Sequence, residues 1–228
     1  MIDEQYLTTP FYGHRSMTHE LNRKGEFVNK KRVHRLMKMM GLVTMYPKPR
    51  LIEWTKEHYK YPYLLNNVKI TRPNQVWGTD ITYIPIETGY LYLIAILDLF
   101  SRYVVSWVLS NNMEVDFCVQ ALEKALRIGF RPEILNSDQG VQFTSKAWTE
   151  VLKREGIMIS MSGKGRCWDN IFVERLWRTV KYEEVYPKNY VTGQEAQEGL
   201  DWYFNFYNTQ RIHTSLVQKV PKEVYFGN

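Results

Sequence analysis

The 228 residues, 44% hydrophobic and 24% charged, suffice for one full domain plus a smaller appendage, and this composition excludes disorder as the main state. The formal charge of +6 is uneven: 14 Lys and Arg stand against 6 Asp and Glu from Met1 to Gln75, and 16 against 18 from Val76 onward. All the excess positive charge lies in the first third, the pattern of a polyanion-binding module joined to a near-neutral larger domain.

The opening MIDEQYLTTPFYGHR lacks a basic stretch followed by an apolar one, so no signal peptide is expected. The longest apolar run, Tyr90 to Phe100, is interrupted by Asp98 and too short to span a bilayer. Cys118 and Cys167 have neither metal-ligand spacing nor a disulfide framework, which suits a reduced, cytoplasmic protein.

Two short helices are predicted first, over Ser16–Lys24 and Asn29–Met40, separated by Gly25. In the second, Val33, Leu36, Met37 and Met40 recur at i, i+3, i+4, i+7 and form an apolar face, and Asn29 can cap it. Lys30, Lys31, Arg32 and Arg35 occupy its other faces, and Lys38 joins them. Two helices around a tight turn, the second strongly basic, resemble part of a DNA-binding helix-turn-helix; a helical hairpin with a solvated charged face fits the same pattern. Met45 to Tyr63 holds three prolines and no clear period, so it reads as a linker. The expected organisation is a partial helix-turn-helix-like segment at 1–45, a linker at 46–68 and a larger domain at 69–228.

From Val76 the texture changes. Strands are predicted at Val76–Ile86, Tyr90–Leu99 and Tyr103–Leu109, with a turn at Glu87-Thr88-Gly89. An amphipathic helix at Glu114–Ile128 follows, then a strand at Glu133–Ser137, a helix at Ser145–Arg154, a strand at Ile157–Met161 and one long helix at Asp169–Tyr186. Three hairpin-linked strands followed by alternating helices and strands imply an α/β fold, a mixed five-stranded sheet flanked by helices, in the order found in ribonuclease-H-like proteins.

Three acids stand at telling places in that order. Asp80 lies amid β-branched and aromatic residues of the first strand, where a carboxylate is costly to bury unless paired or bound to a cation. Asp138 ends the fourth strand, where open α/β sheets bind ligands. Glu174 lies on the last long helix, where Asn170, Glu174, Arg178 and Lys181 form a polar stripe. Each acid alone could be a cap, a turn residue or a surface charge, and Glu174 could simply pair with Arg178 at i,i+4. If the first and fourth strands are neighbours and the helix packs over them, the three can converge. Such a cluster repels itself unless divalent cations, a pair of Mg²⁺ or Mn²⁺, neutralise it. Arg178 and Lys181 could then grip a DNA phosphate.

Asp80, Asp138 and Glu174, with 35 residues between the last two, resemble the D,D(35)E signature of retroviral integrases and related bacterial transposases. The words around them are similar to the second-reading-frame transposases of insertion sequences: Ile70 to Trp77, Asp98-Leu99-Phe100-Ser101-Arg102, Ser137 to Gly140, and Val173-Glu174-Arg175-Leu176-Trp177. The resemblance implies metal-dependent cleavage and strand transfer of DNA, with Asp80 bridging two metals and Asp138 and Glu174 each holding one. It further implies no covalent protein–DNA intermediate, no ATP, transposon ends and target DNA as partners, a homo-oligomer on DNA, and an upstream-frame DNA-binding protein fused to or working with this one. It would place the protein at the nucleoid.

Some positions depart from that family. The front leaves no room before Phe11 for the extra helices that family members carry upstream, Gly78 stands where alanine is common, Ile212 replaces proline in Arg211-Ile212-His213, and Val217-Gln218 replaces a glycine-tyrosine pair. The alternatives are a truncated, non-transposing DNA-binding remnant and a nuclease acting on RNA–DNA hybrids. Asp98 is expected to serve structure by pairing, with Arg102 as the candidate partner; His213 to satisfy local hydrogen bonds; and Trp148, Trp202, Tyr203, Phe204 and Phe206 to pack.

Overall fold

A computed structural model describes residues 1–44, 61–162 and 171–227. The chain divides into two compact units, Met1–Glu53 and Trp54–Asn228. Most of the expected linker, residues 45–60, lies outside the described residues, as do Cys167, Trp168, Asp169 and Asn170.

In the first unit, α1 (Ile2–Thr8), α2 (His14–Arg23) and α3 (Lys30–Met39) enclose a small core of Met17, Leu21, Val33 and Met37, with Ile2, Tyr6 and Leu42 against it. Asn29 caps α3 as expected, its side-chain oxygen accepting from the Arg32 amide at 2.9 Å. Gly25, at φ 88°, supplies the left-handed turn between α2 and α3. Two expectations change. Helix α1 occupies the stretch before Phe11, anchored by Ile2 and Tyr6. Met40 is exposed because α3 ends one residue earlier, so the apolar face rests on Val33, Leu36 and Met37.

The second unit is built on a mixed five-stranded sheet in the order β3-β2-β1-β4-β5. Strands β1 (Val76–Ile86), β2 (Gly89–Asp98) and β3 (Val104–Ser110) form the antiparallel meander. After α4 (Val115–Leu126) comes β4 (Ile134–Ser137), parallel to β1 over only Val76–Gly78 against Ile134–Asn136. A short turn of helix, α5 (Val141–Thr144), then α6 (Lys146–Arg154) lead to β5 (Met158–Met161), parallel to β4. The apolar run of β2 is explained by burial on both faces. Leu93, Ala95 and Leu97 point to one layer and Ile94 and Ile96 to the other, following the two-residue period. The second layer holds Phe117 and Leu122 of α4 and Trp148 and Leu152 of α6. Cys118 is buried and unpaired there, its thiol pushed up to about 12, first by burial and then by Asp138.

The other face is covered by α7 (Ile171–Val180) and the C-terminal helices. The long helix expected to Tyr186 is interrupted: a π-helical segment, Lys181–Val185, intervenes before the single turn α8 (Tyr186–Lys188). A π turn adds a residue to the turn and rotates everything after it, so side chains beyond Val180 leave the 3.6-residue register of α7. Buried Glu184 accepts from the Tyr190 hydroxyl at 2.7 Å and pairs with Lys188 at 3.1 Å. Helix α9 (Gly193–Thr209) seats on this segment, bringing Leu200, Tyr203 and Phe204 into the core. A 3₁₀ turn at Thr214–Leu216 and α10 (Pro221–Phe226) complete the described chain.

Asp98 is fully buried and structural; the Arg102 amide donates to its backbone carbonyl at 2.9 Å, but its carboxylate takes other partners. The carboxylate accepts from the Ser101 amide (2.8 Å) and hydroxyl (2.6 Å) and from the Asn74 amide (2.7 Å). The Arg102 side chain instead lies 3.6 Å over the Phe172 ring and donates to the Leu99 carbonyl. Trp148, Tyr203 and Phe204 are buried and Phe206 packs against the core, whereas Trp202 is exposed and stacks on Phe206.

Candidate active site

On β1 the even-numbered positions Val76, Gly78, Asp80 and Ile84 share the face covered by α7. One turn of that helix advances about 5.4 Å and two residues of strand about 6.6 Å, so successive turns of α7 meet successive positions of β1. Val173 packs on Gly78, where an added Cβ would stand 3.1 Å from Val173 Cγ2 and 2.9 Å from Leu99 Cδ2. Four residues on, the Trp177 indole nitrogen donates to Asp80 Oδ2 at 3.1 Å. This contact was missed in the sequence, although the spacing of Val173 and Trp177 against Gly78 and Asp80 carries it.

Strand β4 stops at Ser137, and Asp138 follows it out of the sheet beside β1. Its Oδ1 accepts from the Gly140 amide at 2.9 Å, which fixes the turn. Glu174 stands in the first turn of α7 and is exposed; among the described residues it makes no ion pair, so the expected alternative of pairing with Arg178 is not realised. Lys181, half-buried, begins the π segment; burial lowers its pKa and the Asp80 charge raises it. Arg178 is exposed and its guanidinium lies 6.0 Å from the Tyr182 ring.

The acids sense one another. The Asp80 carboxyl is pushed up to about 6, chiefly by burial. Hydrogen bonds from the Ile81 amide and Trp177 oppose that rise, while the charges of Asp138 and Glu174 add to it. The described side chains nevertheless stop short of a formed cage: no three Asp, Glu, His or Cys groups among them stand close enough to hold a metal ion. Asp138 turns onto the Gly140 amide. The donor chemistry fits a hard divalent cation, since all three groups are carboxylates and no basic side chain forms an ion pair with Asp80 among the described residues.

In the first unit, Lys30, Lys31, Arg32, Arg35 and Lys38 are all exposed on α3 with no ion pair among the described residues. His213 Nε2 accepts from Arg211 Nη1 at 3.2 Å, and its ring stands edge-on to Tyr207.

Comparison with known proteins bears on both units. Residues 70–167 match the Integrase core domain family, residues 155–221 a second family of that description, and residues 1–50 the HTH-like domain. The transposase for insertion sequence element IS904 of Lactococcus lactis subsp. lactis is 35% identical over 223 residues, covering 93% of this chain and 86% of that protein. The transposase for insertion sequence element IS629 of Shigella sonnei is 32% identical over 216 residues, covering 93% and 73%. The HTLV-2 integrase catalytic core domain, solved in complex with magnesium, superposes with a TM-score of 0.55 at 18% identity, over 68% of this chain and 97% of that one. At that identity the likeness is one of fold: the second unit has a ribonuclease-H-like integrase core.

Proposed function

We propose that this chain, which belongs to the insertion-sequence transposases, cleaves and joins DNA strands through Asp80, Asp138 and Glu174. Family membership implies a polynucleotidyl transferase acting on DNA; the assignment of residues and metal is our reading. The observation that carries it is the placement of the three acids: Asp80 on β1, Asp138 directly after the neighbouring strand β4, and Glu174 in the first turn of α7, which packs on β1 through Val173 and Trp177.

Asp80, Asp138 and Glu174 would hold two Mg²⁺ or Mn²⁺. Bound there, such ions lower the pKa of water, or of a DNA 3′-hydroxyl, and stabilise the leaving oxygen of an in-line displacement. Trp177 fixes the orientation of Asp80 through Oδ2. Lys181 supplies positive charge near Asp80 for a phosphate oxygen, and Arg178, one turn beyond Glu174 and exposed, adds a contact to DNA further along the helix. Exposed Lys30, Lys31, Arg32 and Arg35 on α3 hold DNA, with residues 1–45 as a DNA-binding segment, 46–68 as linker and 69–228 as catalytic core. Joining two transposon ends to a target requires a homo-oligomer on the DNA.

The test is Mg²⁺-dependent nicking and strand transfer on DNA carrying the element's ends. Glu174→Gln is expected to lower activity at least a hundredfold while its melting temperature holds. Full activity in that variant removes the glutamate from the mechanism. DNA binding with no cleavage in Mg²⁺ or Mn²⁺ by the unaltered chain would select the non-transposing remnant instead.

A further inference from the structure

An open groove of about 490 Å³ runs along another face of α7, lined by Arg102, Arg175, Arg178 and Arg211 with Glu183 as its acid. Glu183 is already engaged: it accepts from Arg211 Nε at 2.8 Å and Nη2 at 2.7 Å, and from the Tyr203 hydroxyl at 2.8 Å. Arg102 is engaged too, stacked on Phe172 and bonded to the Leu99 carbonyl. His213 adds no charge at neutral pH, because burial, then Arg211 and Arg102, press its pKa down to about 4.

Arg175 and Arg178 are left over. Both are exposed, and neither joins an ion pair among the described residues. Burial lowers the Arg102 pKa first, and the like charge of Arg175 adds a smaller push in the same direction. Two unpaired guanidinium groups in a concave, net positive groove favour an anion, and the planar guanidinium fork matches a phosphate bidentately. Tyr182, 68% exposed at the rim, offers a ring on which a base can stack. A helix with its side chains is about 10–12 Å across, so one strand crossing α7 meets the carboxylates on one face and the arginines on the next within a few nucleotides.

We propose that this groove seats a backbone phosphate of the DNA strand being processed, with Arg175 as its principal contact and Arg178 beside it. The proposal rests on the DNA-cleaving reading above and adds a second phosphate subsite on the far side of the catalytic helix from Asp80. A solvated, unoccupied charged face is the competing account.

The experiment measures DNA affinity of the full chain by fluorescence anisotropy, in EDTA, across a salt series, with a duplex bearing a single-stranded extension. Arg175→Ala is expected to reduce the slope of log affinity against log salt by about 0.7–0.9, one phosphate contact, at unchanged melting temperature, and Arg175→Lys to restore it. An unchanged slope in Arg175→Ala overturns the subsite. Equal loss of slope in the alanine and lysine variants overturns it as well, since the slope counts retained charge. The lysine variant's affinity at one salt concentration is expected to stay lower, because an ammonium cannot make the guanidinium's two-pronged contact. Binding is read without divalent ions, so failure of the catalytic reading would register in Glu174→Gln strand cleavage and not in this slope.

Discussion

At the scale of single residues, Asp80 and Trp177 set the pH response of the site. A carboxyl at about 6 in the folded protein against an ordinary 3.8 keeps a proton that the unfolded chain has released. Its contribution therefore falls as pH rises from about 3.8 to about 6, and stays at the lower level above that window. A divalent cation compensates the ionised cluster, so Mg²⁺ or Mn²⁺ should raise the melting temperature near neutral pH and do so progressively less below about pH 6. Trp177→Phe keeps the ring but removes the donor to Asp80. A hydrogen bond to a charged group is worth about 1.5–3 kcal/mol, and one pKa unit about 1.36 kcal/mol. The midpoint of that pH dependence should accordingly move up by about one to two units, read by thermal melts with and without Mg²⁺. A cation effect that is equal at all pH values, or a midpoint untouched by the substitution, would contradict the placement of the ion at Asp80.

At the scale of elements, the π segment and α9 form a joint with little slack. An added Cβ at Gly199 would collide with the Tyr190 hydroxyl and stand 2.8 Å from Glu184 Oε1, both fixed by their own hydrogen bond. Gly199→Ala is expected to destabilise the protein by about 2–3 kcal/mol, seen in denaturant unfolding; a neutral result would mean that α9 can shift freely. This joint was not legible in the sequence, because Asp169 to Tyr186 keeps an α-compatible polar stripe straight through Lys181, and nothing local marks the extra residue in the turn. Strands β1 to β3 were legible almost to their ends, since Glu87-Thr88-Gly89 and the two-residue alternation fix hairpins locally. Asp80 stood out because a carboxylate is rare amid β-branched and aromatic residues, whereas Asp138 and Glu174 stood out by their places at a strand end and on a polar helix stripe and by the 35 residues between them. The indole partner of Asp80 did not, because a tryptophan at helical spacing reads as core, and Trp177 does pack there as well.

At the scale of the whole molecule, the uneven charge found in the sequence becomes an uneven division of work. Basic side chains on α3 project into solvent without ion pairs among the described residues, so they cost little to change. Replacing Lys31 and Arg35 together by alanine should weaken DNA binding at moderate salt and reduce the salt slope by about 0.9 for each phosphate no longer neutralised. Melting temperature and the Mg²⁺ effect should not move. A double variant that binds DNA with the original slope would exclude α3 from the interface. Among the described residues no helix is long and apolar enough to cross a membrane.

Very little of β1 is matched by β4. Only Val76–Gly78 face Ile134–Asn136, and β1 runs on to Ile86. The fourth strand quits two residues short of Asp80, leaving a notch in the sheet where its ladder would otherwise zip closed. The turn through Asp138 and Gly140 is what halts the zipper. A version of this chain whose fourth strand grew by a single further pair of rungs would keep every acid and close the gap beside Asp80, and under the proposed reading it would lose strand cleavage while still binding DNA.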